Sequence, residues 1–105
     1  MDILVCNRRT LPDKWLCDLS TVYIGRPNPL GNPFVIERDG TRDEVIVKYR
    51  TWLYAVAKTD TRVRAVLNAL LQIAETNEAI RLVCWCAPLP CHGDVIAEWL
   101  HEHKD

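Results

Sequence analysis

Cys84, Cys86, Cys91 and His92 fall within nine positions of the segment CWCAPLPCHGDVIAEWL, residues 84–100. These residue types support metal ligation or thiol reactivity, and cysteine also packs as a small hydrophobe. A tetrahedral zinc site needs sulfurs about 3.8 Å apart, from Zn–S bonds of about 2.3 Å. On one face of a strand, Cys84 and Cys86 would have parallel side chains and alpha carbons roughly 6.6 Å apart. Cys91 and His92 are adjacent, and helix neighbours diverge by about 100°. One ion held by all four strains the chain, and the paired C-x-x-C spacing of structural zinc sites is missing. The expectation is therefore no metal and no cofactor, with a small metal-stabilised domain as the weakest reading.

The thiol reading fits better. Pro88 and Pro90 end a strand and stiffen the turn. Cys91 then falls at the N-cap or first turn of the last helix, where backbone N–H groups and the dipole favour a thiolate. His92 can act there as acid, base or hydrogen-bond donor. Gly93 allows close approach of backbone or ligand. Asp94 at the third helical position can cap the Cys91 N–H, although its charge opposes a thiolate. Cys91, His92 and Asp94 form the candidate catalytic set, with Cys91 as the accessible, reactive thiol. Cys84 and Cys86 are expected mainly to pack in the strand, with Cys86 also kept as a ligand contact. Cys6 and Cys17 are expected to be structural, and His101 and His103 to be solvated tail residues.

A second unusual segment, RPNPLGNPF (residues 26–34), follows Gly25. Pro27, Pro29 and Pro33 each remove a backbone donor, so an amide cradle for phosphate is poorly supplied. Recognition would fall to side chains. Arg26 offers a guanidinium fork for phosphate or carboxylate. Asn28 and Asn32 can each donate and accept, as an amide or nucleobase edge requires. The ligand-binding candidates are thus Gly25, Arg26, Asn28, Gly31, Asn32, Cys86 and Gly93. The competing reading is a rigid surface turn, with Gly31 at positive φ and Phe34 anchored in the core.

The elements that position these segments follow from pattern. Ile3 to Cys6 reads as a buried strand, and Thr21 to Gly25 as a second. One helical turn is expected around Trp15. Thr41 and Glu44 fit a capping box, followed by Val45, Tyr49, Trp52, Leu53 and Val56 at helical spacing. A second helix runs from about Thr61 to Thr76. Ile80 to Cys86 is a third strand, apolar on both faces, and Val95, Ile96, Trp99 and Leu100 mark a final helix. The HEHKD tail is expected to fray. The tryptophans suit core or layer contacts.

This order predicts a small Rossmann-like α/β fold. Its mostly parallel sheet has three or four strands and is flanked by about three helices. Ligands bind such sheets beyond the carboxyl ends of the strands. Both unusual loops follow strands, so they should face one crevice.

Length and composition set the outer limits. A chain of 105 residues fits one domain, residues 1–105. Hydrophobic residues at 49% can form a core without disulfides, and a net charge of −1 gives no global pull toward nucleic acid or membrane. A basic stripe with interleaved aromatics is missing, so direct nucleic-acid binding is not expected. No apolar run reaches the roughly 20 residues of a membrane span. The start MDILVCNRRT reverses the charge order of a secretory signal. Cytoplasmic residence is expected, in the host if the protein is phage-encoded. Five cysteines should then be free thiols or ligands rather than bridges.

The segments VYIGRPNPLGNPF, GTRDEVIVKYRTWL and LVCWCAPLPCHGDVIAEWL resemble the short phage and bacterial proteins grouped as domain of unknown function 4326. The resemblance covers most of the chain from Val22 and implies no reaction. The last segment is also similar to a second uncharacterised bacterial family, with a strand ending C-x-E, a loop, then C-H-R and a helix containing I-A. Cys84, Cys91, His92, Ile96 and Ala97 match; Cys86 replaces the glutamate and Gly93 the arginine. That likeness implies a Rossmann-like strand–loop–helix site, with anion binding left to Arg26.

Two functions of different class stand. One is a site for a small anionic or nucleotide-like ligand, enzymatic or not, between the RPNPLGN loop and the Cys-His helix N-terminus. The other is a non-enzymatic phage accessory protein that binds a host or viral protein.

Overall fold

The computed structural model describes residues 2–16 and 18–104. Cys17, expected to be structural, lies outside the described residues. Strands β1 (Asp2–Asn7), β2 (Thr21–Tyr23) and β3 (Ala79–Cys84) form one parallel sheet in the order β1-β3-β2. Helices α1 (Arg42–Thr59), α2 (Thr61–Asn77) and α3 (His92–His103) complete the small α/β domain. A single 3-10 turn at Asp13–Trp15 lies between β1 and β2.

β3 is central because its sequence tolerates burial best. Ile80, Leu82, Val83 and Cys84 are all buried. The two faces of the sheet differ. Ile80, Leu82 and Cys84 share one core with all three helices, joined by half-buried Ile3, Val5 and Val22. Leu4, Cys6, Arg81 and Val83 alternate to the other face. There the Arg81 guanidinium lies 3.9 Å from the centre of the Trp15 ring and donates to Ser20 Oγ at 3.0 Å. Leu4 on that face is half exposed. Helices thus pack on one side, while on the other Val83 is buried and Arg81 lies against Trp15.

The helices begin where side chains supply the missing backbone partners. Thr41 Oγ1 accepts from Glu44 N–H, and Glu44 Oε1 accepts from Thr41 N–H, completing the capping box of α1. Its buried residues Val45, Tyr49, Leu53 and Ala57 recur every fourth position. Asp60 separates α1 from α2, and its Oδ1 accepts from Arg62 and Val63 N–H. Val63, Leu67, Leu70 and Ala74 bury the inner face of α2. Each fully buried leucine contributes about 1.5–3 kcal/mol relative to exposure. Glu78 ends α2 in the left-handed region at φ 59°.

Several boundaries differ from the sequence reading, β2 among them, which stops at Tyr23 and leaves Gly25 in the following loop. β3 stops at Cys84, so Cys86 lies in the following turn and not on a strand face with Cys84. The tail does not fray at His101. The α3 helix runs to His103, whose ring stacks on Trp99 with centroids 3.8 Å apart.

Candidate functional site

The three strands end side by side, with Asn7 opposite Cys84 and Tyr23 opposite Val83. Asn7 holds the turn after β3. Its Nδ2 donates to the carbonyls of Trp85 at 3.1 Å and Ala87 at 2.9 Å, and its Oδ1 accepts from Arg9 N–H at 2.8 Å. One side chain therefore fixes two of the loops at this edge.

The loop after β2 is held from below. Leu30 is fully buried, and its carbonyl accepts from the buried Tyr49 hydroxyl on α1 at 2.6 Å. Leu30 is thus the core anchor. Phe34, expected in that role, is half-buried; it packs against the core and also lines a cavity. Gly31 does not take positive φ, which corrects the turn reading. A Cβ there would lie 3.0 Å from the backbone N and Cγ of Arg26 and from the Asn28 carbonyl oxygen. Close approach, not handedness, favours glycine at this position.

Between the loops after β2 and β3 lies a cavity of about 410 Å³. Its most buried lining residues are Cys84, Val45 and Cys91, and His92 is buried as well. Gly25, Arg26 and Asn32 border it from the proline-rich loop. Phe34, Val35 and Ile36 continue with Val45 and Ile46 of α1 as an apolar wall. Tyr23, Arg42, Trp85, Cys86 and Pro90 complete it. The two unusual loops do share one crevice at the carboxyl edge of the sheet.

The remaining candidates shape this crevice without lining it. Asn28 donates to the Tyr23 carbonyl at 3.0 Å and accepts from Leu30 N–H at 2.9 Å, so its amide closes its own loop. Gly31 supports Arg26 from behind. Gly93 packs against β-sheet side chains, where a Cβ would fall 2.9 Å from Val5 Cγ1 and 3.0 Å from Ile24 Cδ1. Asp94 Oδ2 accepts from Cys91 N–H at 2.9 Å, the expected cap. Arg26 has structural work of its own, with Nε donating to the Asn32 carbonyl at 2.8 Å. Arg42 donates to the Pro90 carbonyl at 3.1 Å and ties α1 to the turn after β3.

The surroundings of Cys91 differ from expectation in one respect, its accessibility. Cys91 does cap α3, but it is buried at 3% exposure, so the expected accessible thiol is not found. Its Sγ lies 3.4 Å from Cys84 Sγ. Two neighbouring sulfurs do not both ionise readily, and the local donors choose between them. Cys84 is pulled down to about 6, first by the Cys91 S–H, then by the N–H groups of Cys86 and Ala87, against the opposing effect of burial. Cys91 is pushed up by the Cys84 sulfur and by burial, which outweigh the Gly93 N–H at the helix N-terminus. These influences favour the charge on Cys84 and the proton on Cys91.

His92 is buried, and its Nε2 lies 2.9 Å from the Ile24 carbonyl. A carbonyl only accepts, so Nε2 carries the proton. Burial lowers the His92 pKa, with Arg26 acting in the same direction, so the ring is neutral near pH 7. Its other nitrogen can accept a proton or a hydrogen bond.

Sequence reasoning missed Tyr23, Arg42 and Trp85. Trp85 is 53% exposed, not a core contact, and its Nε1 donates to the Tyr23 hydroxyl at 3.0 Å. The spacing Tyr23-x-Gly25 carried a signal, because a Cβ on Gly25 would fall 2.2 Å from the Tyr23 hydroxyl. Among the described residues, no three His, Cys, Asp or Glu side chains are grouped to hold a metal ion. No helix among them is long and apolar enough to cross a membrane.

Fold and site together define a small parallel α/β protein with a carboxyl-edge cavity above a buried cysteine pair. Residues 7–102 match the family model described as Domain of unknown function (DUF4326), and the chain belongs to that family. No curated protein and no solved structure matches it.

Proposed function

We propose that the carboxyl-edge cavity binds a small anionic ligand with a planar ring, nucleotide-like or another anionic metabolite. The observation that carries this reading is the lining itself: two arginines, Arg26 and Arg42, border a wall of Phe34, Val35, Ile36, Val45 and Ile46. Guanidinium groups suit phosphate or carboxylate, and the tyrosine–tryptophan pair at Tyr23 and Trp85 offers a face for a planar ring. About 410 Å³ falls within the range of small-molecule sites. Any chemistry on the ligand falls to the Cys84 thiolate and the neutral His92.

A thermal-shift screen of nucleotides, nucleosides and sugar phosphates tests the reading. A ligand at 100 times its Kd stabilises by about 2.7 kcal/mol. For a domain of this size that raises Tm by about 10 °C. Nucleotides should shift Tm more than nucleosides, and Arg42→Gln should reduce the shift. No shift with any anionic compound contradicts the proposal.

The second reading is an accessory role, with a host or viral protein seated on the same edge. It draws on the apolar side chains exposed there: Tyr23 at 40%, Ile36 at 40%, Trp85 at 53% and Leu89 at 55%. A photo-crosslinking side chain placed at Leu89 in cells should give one discrete protein adduct on this reading, and none if the site serves only a small molecule.

A further inference from the structure

We propose that Cys84 and Cys91 form a dithiol–disulfide redox pair, in which Cys84 attacks a small hydroperoxide and Cys91 resolves the product. This goes beyond ligand binding and does not depend on it.

The geometry comes first. The two sulfurs are 3.4 Å apart, and closing to a disulfide of about 2.05 Å needs only a small approach. They arise from different elements, the last residue of β3 and the N-cap of α3, with the turn 85–90 between them. That turn is where the chain can absorb such a movement. Both sulfurs border the cavity, yet Cys84 is 1% and Cys91 3% exposed. Bulky oxidants are thereby disfavoured, and a small peroxide is the class of reagent that fits.

The environment also separates the two roles. The Cys84 sulfur lies against the Cys91 sulfur, and the Cys91 thiol and the N–H groups of Cys86 and Ala87 lower its pKa, which favours a thiolate at Cys84. An attacking thiolate and an adjacent protonated partner are what a two-step oxidation needs. The other described thiols are placed differently. Cys6 lies on the opposite face of the sheet, and burial raises its pKa. Cys86 lines the cavity but lies in the turn beyond the strand.

The steps balance. The Cys84 thiolate attacks the terminal oxygen of the hydroperoxide, the O–O bond breaks, and Cys84 becomes a sulfenic acid. The departing alkoxide, or hydroxide for hydrogen peroxide, takes the Cys91 thiol proton. The Cys91 thiolate then attacks the Cys84 sulfur, forming the S–S bond and expelling hydroxide. That hydroxide takes up the proton first lost by Cys84. Two thiols and one hydroperoxide give one disulfide, one alcohol and one water. An external dithiol restores the pair by exchange.

The test treats the full chain with substoichiometric hydrogen peroxide near neutral pH, then alkylates the remaining thiols and maps peptides without reduction. The expected product is a Cys84–Cys91 disulfide, formed roughly tenfold or more ahead of thiol loss at Cys6 or Cys86 and reversed by a dithiol. Cys91→Ser should stop the reaction at a Cys84 sulfenic acid, trapped by a 1,3-dione. The wild-type map decides the matter even if that variant fails to fold. First oxidation at Cys6 or Cys86, or oxidised Cys84 without a bond to Cys91, overturns the proposal.

Discussion

The contact between Cys84 and Cys91 decides which of the two carries charge. The Cys91 thiol and the N–H groups of Cys86 and Ala87 lower the Cys84 pKa, whereas the Cys84 sulfur and burial raise that of Cys91 against the Gly93 amide. Thiolate absorbance followed against pH should therefore show a transition near 6. Cys84→Ser should abolish it. Cys91→Ala should move it upward, because the first and largest cause is removed. A wild-type profile with ionisation confined to the ordinary thiol range contradicts this assignment. Gly93 makes a second prediction at this scale. An added methyl meets Val5 and Ile24 at 3.0 Å or less, so Gly93→Ala should destabilise by about 1–3 kcal/mol in urea denaturation. An unchanged midpoint would mean the helix start can shift at little cost.

At the level of elements, α1 carries the site as well as the core. The Tyr49 hydroxyl is the buried link from that helix to the proline-rich loop. Tyr49→Phe leaves the Leu30 carbonyl without its donor and should cost about 1–3 kcal/mol. It should also loosen residues 24–34, read as faster amide exchange in that loop than elsewhere. Helix starts were legible because capping is local chemistry: Thr41 with Glu44, and Asp94 on the Cys91 N–H, both followed from spacing. The loop was legible as irregular and stiff, but its anchor was not. Leu30 and Phe34 are both apolar, and only the tertiary contact with Tyr49 distinguishes them. The thiol pairing was hidden for a related reason. It depends on β3 ending at Cys84, and an apolar run through Cys86 hides that stop. The role of Trp85 was lost with it, since one residue beyond a strand end turns an interior position into a rim.

The whole molecule is a sheet covered by helices on one face, with its candidate site gathered at the carboxyl edge. Topology made that placement predictable, because parallel strands send every following loop to the same end. The same arrangement couples the site to global stability. Cys84 has a lowered pKa, so its contribution is present above the ordinary value of 9.0 and is lost as pH falls through about 6. Cys91 has a raised pKa, so its contribution is lost above the ordinary thiol range. His92 is lowered by burial, and below 6.5 the unfolded chain takes up a proton more readily than the folded one. Urea midpoints should therefore rise from about pH 6 to about pH 9, and Cys84→Ser should flatten that rise. A flat wild-type profile contradicts the linkage.

Chemical-shift mapping of backbone amides during titration with a nucleotide that raises Tm tests the binding account most directly. The predicted result is saturable shifts concentrated at residues 23–36 and 84–93, weakened by Arg42→Gln, with the outer faces of α1 and α2 unaffected. Shifts centred on the Trp15–Arg81 face, or no saturable shifts at all, would contradict a ligand site at the carboxyl edge.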